Sequence, residues 1–153
     1  MSDLQKCVVL IPAFQPDFKL INLLENLKCH FNKIVLVNDG STNCDEIFSE
    51  ARKFADAFIE HEFNKGKGAA IKTGLHHILE NYGNDISGVV TADADGQHKV
   101  EDIIKVAQAM LTYPDGLVLG VRSFSGKVPL RSRFGNFCTI IFFFIMTGIK
   151  VSD

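Results

Sequence analysis

Apolar runs of strand length occur at residues 7–11, 34–37, 57–59, 88–91 and 117–121, and each of the first four is followed by a stretch with helical period. That alternation predicts a parallel, doubly wound α/β sheet. The helical stripes are Leu20, Leu23, Leu24 and Leu27; then Ile47, Phe48, Ala51 and Phe54; then Ile71, Leu75, Ile78 and Leu79; then Val100, Ile103, Ile104, Ala107, Met110 and Leu111. Each lays an apolar face on the sheet. Such sheets bind ligands outside the carboxyl ends of their strands, which directs attention to residues 12–16, 38–42, 64–68, 93–98 and the segment after Val121. No internal repeat, low-complexity tract or linker interrupts the pattern.

Composition narrows the class. A chain of 153 residues is one domain by size and buries roughly 70% of its unfolded surface. With 46% hydrophobic and 22% charged residues it is globular rather than disordered. The net charge of −2 gives no sign of nucleic acid. Its distribution says more, because residues 116–152 hold no Asp or Glu but do hold Arg122, Lys127, Arg131, Arg133 and Lys150. A cationic stretch in an acidic chain suits a phosphate-bearing ligand or an anionic lipid surface, with a solvated basic face as the plain alternative.

Cys7, Cys29, Cys44 and Cys138 show no Cys-x-x-Cys spacing and read as reduced, structural thiols. The opening residues lack the basic start and long apolar run of a signal peptide, so the chain is expected to begin in the cytosol. Residues 139–149 are strongly apolar but well short of the roughly 20 needed to cross a bilayer.

The strand-end loops carry the candidate chemistry. Asp93-Ala94-Asp95-Gly96 presents two carboxylates where the fourth strand runs out, with Gln97 and His98 in reach. Paired carboxylates hold Mg²⁺ or Mn²⁺ while substrate phosphates complete the shell, although Asp and Gly also make ordinary polar turns. In the first loop Phe14 stands between Pro12 and Pro16, as a wall for a flat base or as core. In the second, Asp39 ends a strand and can accept hydrogen bonds from a base or ribose, while Ser41, Thr42 and Asn43 suit helix capping.

The third loop, from Asn64 to Gly74, is a near miss to both a phosphate loop and a dinucleotide fingerprint, since each needs glycine where Ile71 stands. Its glycines, the helix start and Lys65, Lys67 and Lys72 still favour phosphate. His30, His61, His76 and His77 have no partner at metal-ligand spacing and read as structural or surface residues.

With these loops in order, the chain resembles the family 2 glycosyltransferases of the GT-A fold, and looks most like the polyprenyl-phosphate branch typified by dolichol-phosphate mannose synthase. The matching stretches are residues 9–14, 35–42, 64–70, 92–98, 119–122 and 129–136, read along essentially the whole of residues 7–153. The resemblance implies a single catalytic domain over residues 1–153. In it Pro12, Phe14, Val37 and Asp39 line the nucleotide pocket, with Asp39 reading the base. Lys67, Asp93, Ala94, Asp95 and Gln97 extend the donor site: Asp93 faces the ribose or a metal-bound water, Asp95 ligates Mg²⁺ or Mn²⁺, and Gln97 supports the metal. Arg122 with Arg131 or Arg133 neutralises the diphosphate and the acceptor phosphate.

The implied reaction is inverting transfer from a UDP- or GDP-linked sugar to a polyprenyl phosphate, with Asp153 as the base where one is needed. Residues 139–149 would form an interfacial helix, placing the protein on the cytoplasmic face of a membrane or making it the soluble domain of a membrane protein. Gln15-Pro16 replaces the family's usual Asn-Glu, and Asn38 the first of an Asp pair, which leaves the base open. The family continues past Asp153 with residues that complete the acceptor side, so the chain is expected to be truncated. Two other readings stand beside this one. The first is a nucleotide-sugar-binding module, inactive without those residues; the second is a haloacid-dehalogenase-like phosphatase, against which Gln97 and the fourth-strand position count.

Overall fold

The computed structural model describes residues 3–113 and 116–120. The chain divides into two compact units, Met1–Val118 and Leu119–Asp153. Of the second, only Leu119 and Gly120 are among the described residues.

The first unit is built on a four-stranded sheet of β1 (Cys7–Ala13), β2 (Lys33–Asn38), β3 (Ala57–Glu60) and β4 (Gly88–Thr91). All pairings are parallel and the spatial order is β3-β2-β1-β4. Helices α1 (Lys19–Lys28), α2 (Asp45–Ala51), α3 (Lys67–Tyr82) and α4 (Val100–Thr112) follow β1, β2, β3 and β4 in turn. The expected α/β architecture is thus present, with all seven residues of central β1 buried, as a strand covered on both faces requires.

Side-chain alternation along β1 separates two cores. Cys7, Val9, Ile11 and Ala13 pack with Leu20, Leu24 and Leu27 of α1, Phe48 of α2 and Ile103 of α4. Val8 and Leu10 face the other way, joining Val35 and Val37 of β2 and Ala70 and Ile78 of α3. Burying one leucine or isoleucine side chain in such a core contributes about 2 kcal/mol.

Three expectations shift. Helix α2 ends at Ala51, and Phe54 lies half-buried in the turn beyond it. The buried face of α3 is Ala70, Gly74 and Ile78, whereas Leu79 is 67% exposed. Its stripe is rotated because small residues let α3 approach the sheet closely. Finally, residues 117–120 form no strand, and Leu117 is 86% exposed. An apolar run becomes a strand only when a neighbour accepts its backbone hydrogen bonds, and among the described residues this run has none; Val121 lies outside them.

Strand order reverses between β1 and β4. The chain moves outward from β1 through β2 to β3, then returns to β4 on the other side of β1. Open α/β sheets bind ligands at the carboxyl ends of the strands that flank such a reversal, here β1 and β4.

Candidate functional site

The loop after β1 and the loop after β4 flank that reversal. Ala92 N–H donates to Leu10 O at 3.1 Å, so the chain stays paired to β1 until Asp93 breaks away. Asp95 Oδ1 accepts the Gln97 N–H at 2.9 Å across a turn in which Gly96 has φ of +70°. His98 Nδ1 accepts the Asp93 N–H at 3.2 Å, which closes the loop from its far side. The polar turn and the carboxylate pair are therefore one object: the turn is what displays the carboxylates. Asp93 is partly exposed and Asp95 and Gln97 are exposed, while Ala94 is buried beneath them.

Helix α3 reaches this loop. Lys67, its first residue, places Nζ 2.5 Å from Asp93 Oδ1. Gly66 caps the helix with φ of +90°, no side-chain hydrogen bond satisfies its first turn, and no acidic residue stands there. Amide donors, the positive end of the helix and Lys67 together favour an anion.

Asp39 is only 2% exposed at the end of β2. Its Oδ1 accepts His61 Nδ1 at 2.7 Å and the Lys65 N–H at 3.0 Å. Burial pushes the Asp39 carboxyl up, but the amides of Lys65 and Gly66 and the His61 ring outweigh it and hold the group below the usual carboxylate range. Asn38 beside it donates to Glu60 Oε1 at 2.8 Å and accepts the Ser41 N–H at 2.9 Å. Asn38 is thus tied to β3 and to the following loop.

In the first loop Phe14 is 51% exposed, which removes its core reading and leaves it at the site's rim. Gln15 has φ of +48°, and its N–H donates to Ser41 Oγ at 2.9 Å, joining the first and second loops. Pro12 and Val37 are buried in β1 and β2 and support the site from beneath. The structure therefore gathers Pro12, Phe14, Val37, Asp39, Lys67, Asp93, Ala94, Asp95 and Gln97 at the carboxyl edge of one sheet. Arg122, Arg131, Arg133, Asp153 and residues 139–149 lie outside the described residues.

Sequence reasoning set His61 aside, although it is buried at 6% exposure with both ring nitrogens engaged. The signal was present in strand register. Asn38 pairs with Glu60 across β2 and β3, so the next residues, Asp39 and His61, leave the sheet side by side.

The donor set suits a hard cation, since both side chains offer carboxylate oxygens on a short exposed loop. Among the described residues no group of three or more His, Cys, Asp or Glu side chains gathers at metal-binding separation. A cation on Asp93 and Asp95 would take its remaining ligands from water and phosphate, as Mg²⁺ commonly does.

Fold and loops together define an α/β protein whose candidate site residues gather at the carboxyl ends of its strands, beside the strand-order reversal. Residues 9–149 match glycosyl transferase family 2, and the chain belongs to that family. It is 33% identical over 165 residues to the UDP-N-acetylglucosamine–dolichyl-phosphate N-acetylglucosaminyltransferase of Methanococcus voltae, covering 95% of this chain and 64% of that protein. It is 32% identical over 175 residues to the dolichyl-phosphate beta-glucosyltransferase of Saccharomyces cerevisiae, covering 93% and 51% respectively. The chain therefore spans between half and two thirds of the length of these relatives. The parallel sheet flanked by helices is the Rossmann-like GT-A architecture that the motifs implied. Among the described residues no helix is long and apolar enough to cross a membrane.

Proposed function

We propose that the domain is the donor-binding part of an inverting, metal-dependent glycosyltransferase. It moves a sugar from a nucleoside-diphosphate sugar to a polyprenyl phosphate. One observation carries this reading: Asp39, the start of α3 with Lys67 and no side-chain cap, and the Asp93–Asp95 loop converge on one sheet edge in a family 2 glycosyltransferase chain. Both relatives named above act on dolichyl phosphate by their names, which supports a lipid-borne acceptor.

In this scheme Asp39 accepts a hydrogen bond from the base, and Phe14 walls the base at the rim. Lys67 and the first amides of α3 meet the diphosphate. Asp93 and Asp95 would hold Mg²⁺ or Mn²⁺ with Gln97 in support, and the bound cation would offset charge on the departing nucleoside diphosphate. Arg122 with Arg131 or Arg133 serves the diphosphate and the acceptor phosphate. That phosphate is ionised at neutral pH and attacks the anomeric carbon from the face opposite the leaving group, so configuration inverts. Asp153 is the candidate base. Residues 139–149 and the basic stretch around them bring the domain to an anionic membrane surface.

A thermal-shift titration with UDP and GDP, with and without Mn²⁺, tests the donor site. One nucleotide should raise the melting temperature only with the metal, and Asp95→Ala should abolish the effect. Stabilisation that needs no metal, or that survives Asp95→Ala, sinks the metal-bridged reading. The second reading is a nucleotide-sugar-binding module that turns nothing over alone. Turnover with polyprenyl phosphate by a longer chain, but not by this one, would select it.

A further inference from the structure

We infer that His61 is a positioning residue of the donor site: it fixes the Asp39 carboxylate through one ring nitrogen and ties it to α3 through the other. This rests on the reading of Asp39 as the group that meets the base.

The ring bridges the end of β2 and helix α3. Nδ1 lies 2.7 Å from Asp39 Oδ1 at the end of β2, and Nε2 lies 2.9 Å from Thr73 Oγ1 in α3. Its own N–H donates to Asn38 O at 2.9 Å, so its backbone is held by β2 as well. An ionised carboxylate only accepts, so Nδ1 must carry a proton and donate it. In the neutral ring Nε2 then accepts from the Thr73 hydroxyl, which fixes the tautomer.

Burial and full engagement exclude His61 from direct proton transfer with a substrate. What it controls is direction. His61 and the Lys65 amide both use Oδ1 and the Gly66 amide also favours the carboxylate, but a carboxylate offers about four lone-pair sites, so acceptor capacity remains for a ligand N–H or O–H. Thr73 lies on the helix whose first residue, Lys67, pairs with Asp93. One side chain thus links the group proposed to read the base with the helix that serves the phosphates.

The test is calorimetric binding of UDP, GDP and inorganic diphosphate, each with Mn²⁺, to the wild-type chain, His61→Ala and His61→Asn. Asn retains an N–H donor close to the place of Nδ1. His61→Ala should weaken the preferred nucleotide about tenfold or more, as loss of a hydrogen bond to a charged group implies. Inorganic diphosphate should stay within about twofold, and His61→Asn should recover the nucleotide to within about threefold, because the phosphate side is untouched and a donor is restored.

If the wild-type chain binds neither nucleotide, the donor reading fails and this inference falls with it. If the wild-type chain binds and His61→Ala binds equally well, the inference alone fails. Equal weakening of nucleotide and diphosphate, unrescued by Asn, would make His61 a purely structural residue and overturn the inference too. Imidazole nitrogen shifts of the wild-type protein give a readout that needs no variant to fold. They should show a proton on Nδ1, and a neutral ring protonated only at Nε2 would overturn the assignment.

Discussion

Gly40 has φ of +68°, and a Cβ placed there would lie 2.2 Å from the carbonyl carbon of Phe63 and 2.5 Å from the nitrogen of Asn64. The loop after β2 and the loop after β3 pass backbone against backbone at this point, which keeps Asp39 and His61 together. Neither neighbour can rotate away, so Gly40→Ala should cost about 2–4 kcal/mol in urea unfolding. Gly68 is the control, being helical with nothing within 4 Å of its added Cβ. Gly68→Ala should be neutral or stabilise by up to about 1 kcal/mol through helix propensity and a less flexible unfolded chain. Equal effects at the two sites would show that close approach is not what Gly40 provides.

Asp39 gives a pH signature at the same scale. Its folded pKa is held below the ordinary carboxylate value, so the stability it contributes is present above about pH 4 and is lost as pH falls through the lowered folded value. Unfolding midpoints measured between pH 7 and pH 3 should show the gap between wild type and Asp39→Asn closing at the acid end. A gap independent of pH would mean that the ionised carboxylate is not what stabilises this corner.

At the scale of elements, helix α3 separates what pattern can reveal from what it cannot. Hydrophobic period identified the helix, but it placed Leu79 on the buried stripe and passed over Gly74. An added Cβ at Gly74 would sit 2.2 Å from Leu10 Cδ1, so glycine sets how closely α3 lies on β1. Gly74→Ala should cost about 1–3 kcal/mol by overpacking against Leu10, while Leu79→Ala should change stability by less than about 0.5 kcal/mol. Denaturation midpoints of the two variants decide it, and the reverse order would restore the stripe drawn from period alone.

The same contrast explains the rest of the element map. Strands β1 and β2 were legible because burial on both faces demands continuous Val, Ile and Leu, and the shorter β3 and β4 because each is still a brief apolar run, although most of their residues are only partly buried. Residues 117–120 share that composition without a hydrogen-bonding neighbour among the described residues, and composition does not encode a neighbour. Asp93 and Asp95 were legible because two acids within one strand-end turn form a local signal. His61 was not, because its meaning depends on the pairing of β2 with β3, and a lone histidine carries no trace of that register.

For the molecule as a whole, charge is divided along the chain. Residues 116–152 carry five cations and no acid within a chain of net charge −2, so the preceding residues are clearly acidic. Long-range attraction to an anionic bilayer would therefore act through Arg122, Lys127, Arg131, Arg133 and Lys150, against repulsion from the remainder. Each cation near such a surface is worth about 1 kcal/mol, so changing Arg122, Arg131 and Arg133 together to Gln should weaken binding to phosphatidylglycerol-rich vesicles by about two orders of magnitude. Raising the salt concentration should weaken the wild-type chain in the same direction, because screening shortens the reach of these charges. Vesicles of phosphatidylcholine alone should sediment with little protein. Binding that persists in high salt and in the triple variant would assign the membrane contact to apolar insertion by residues 139–149 instead, and would leave the arginines to the diphosphate and the acceptor phosphate.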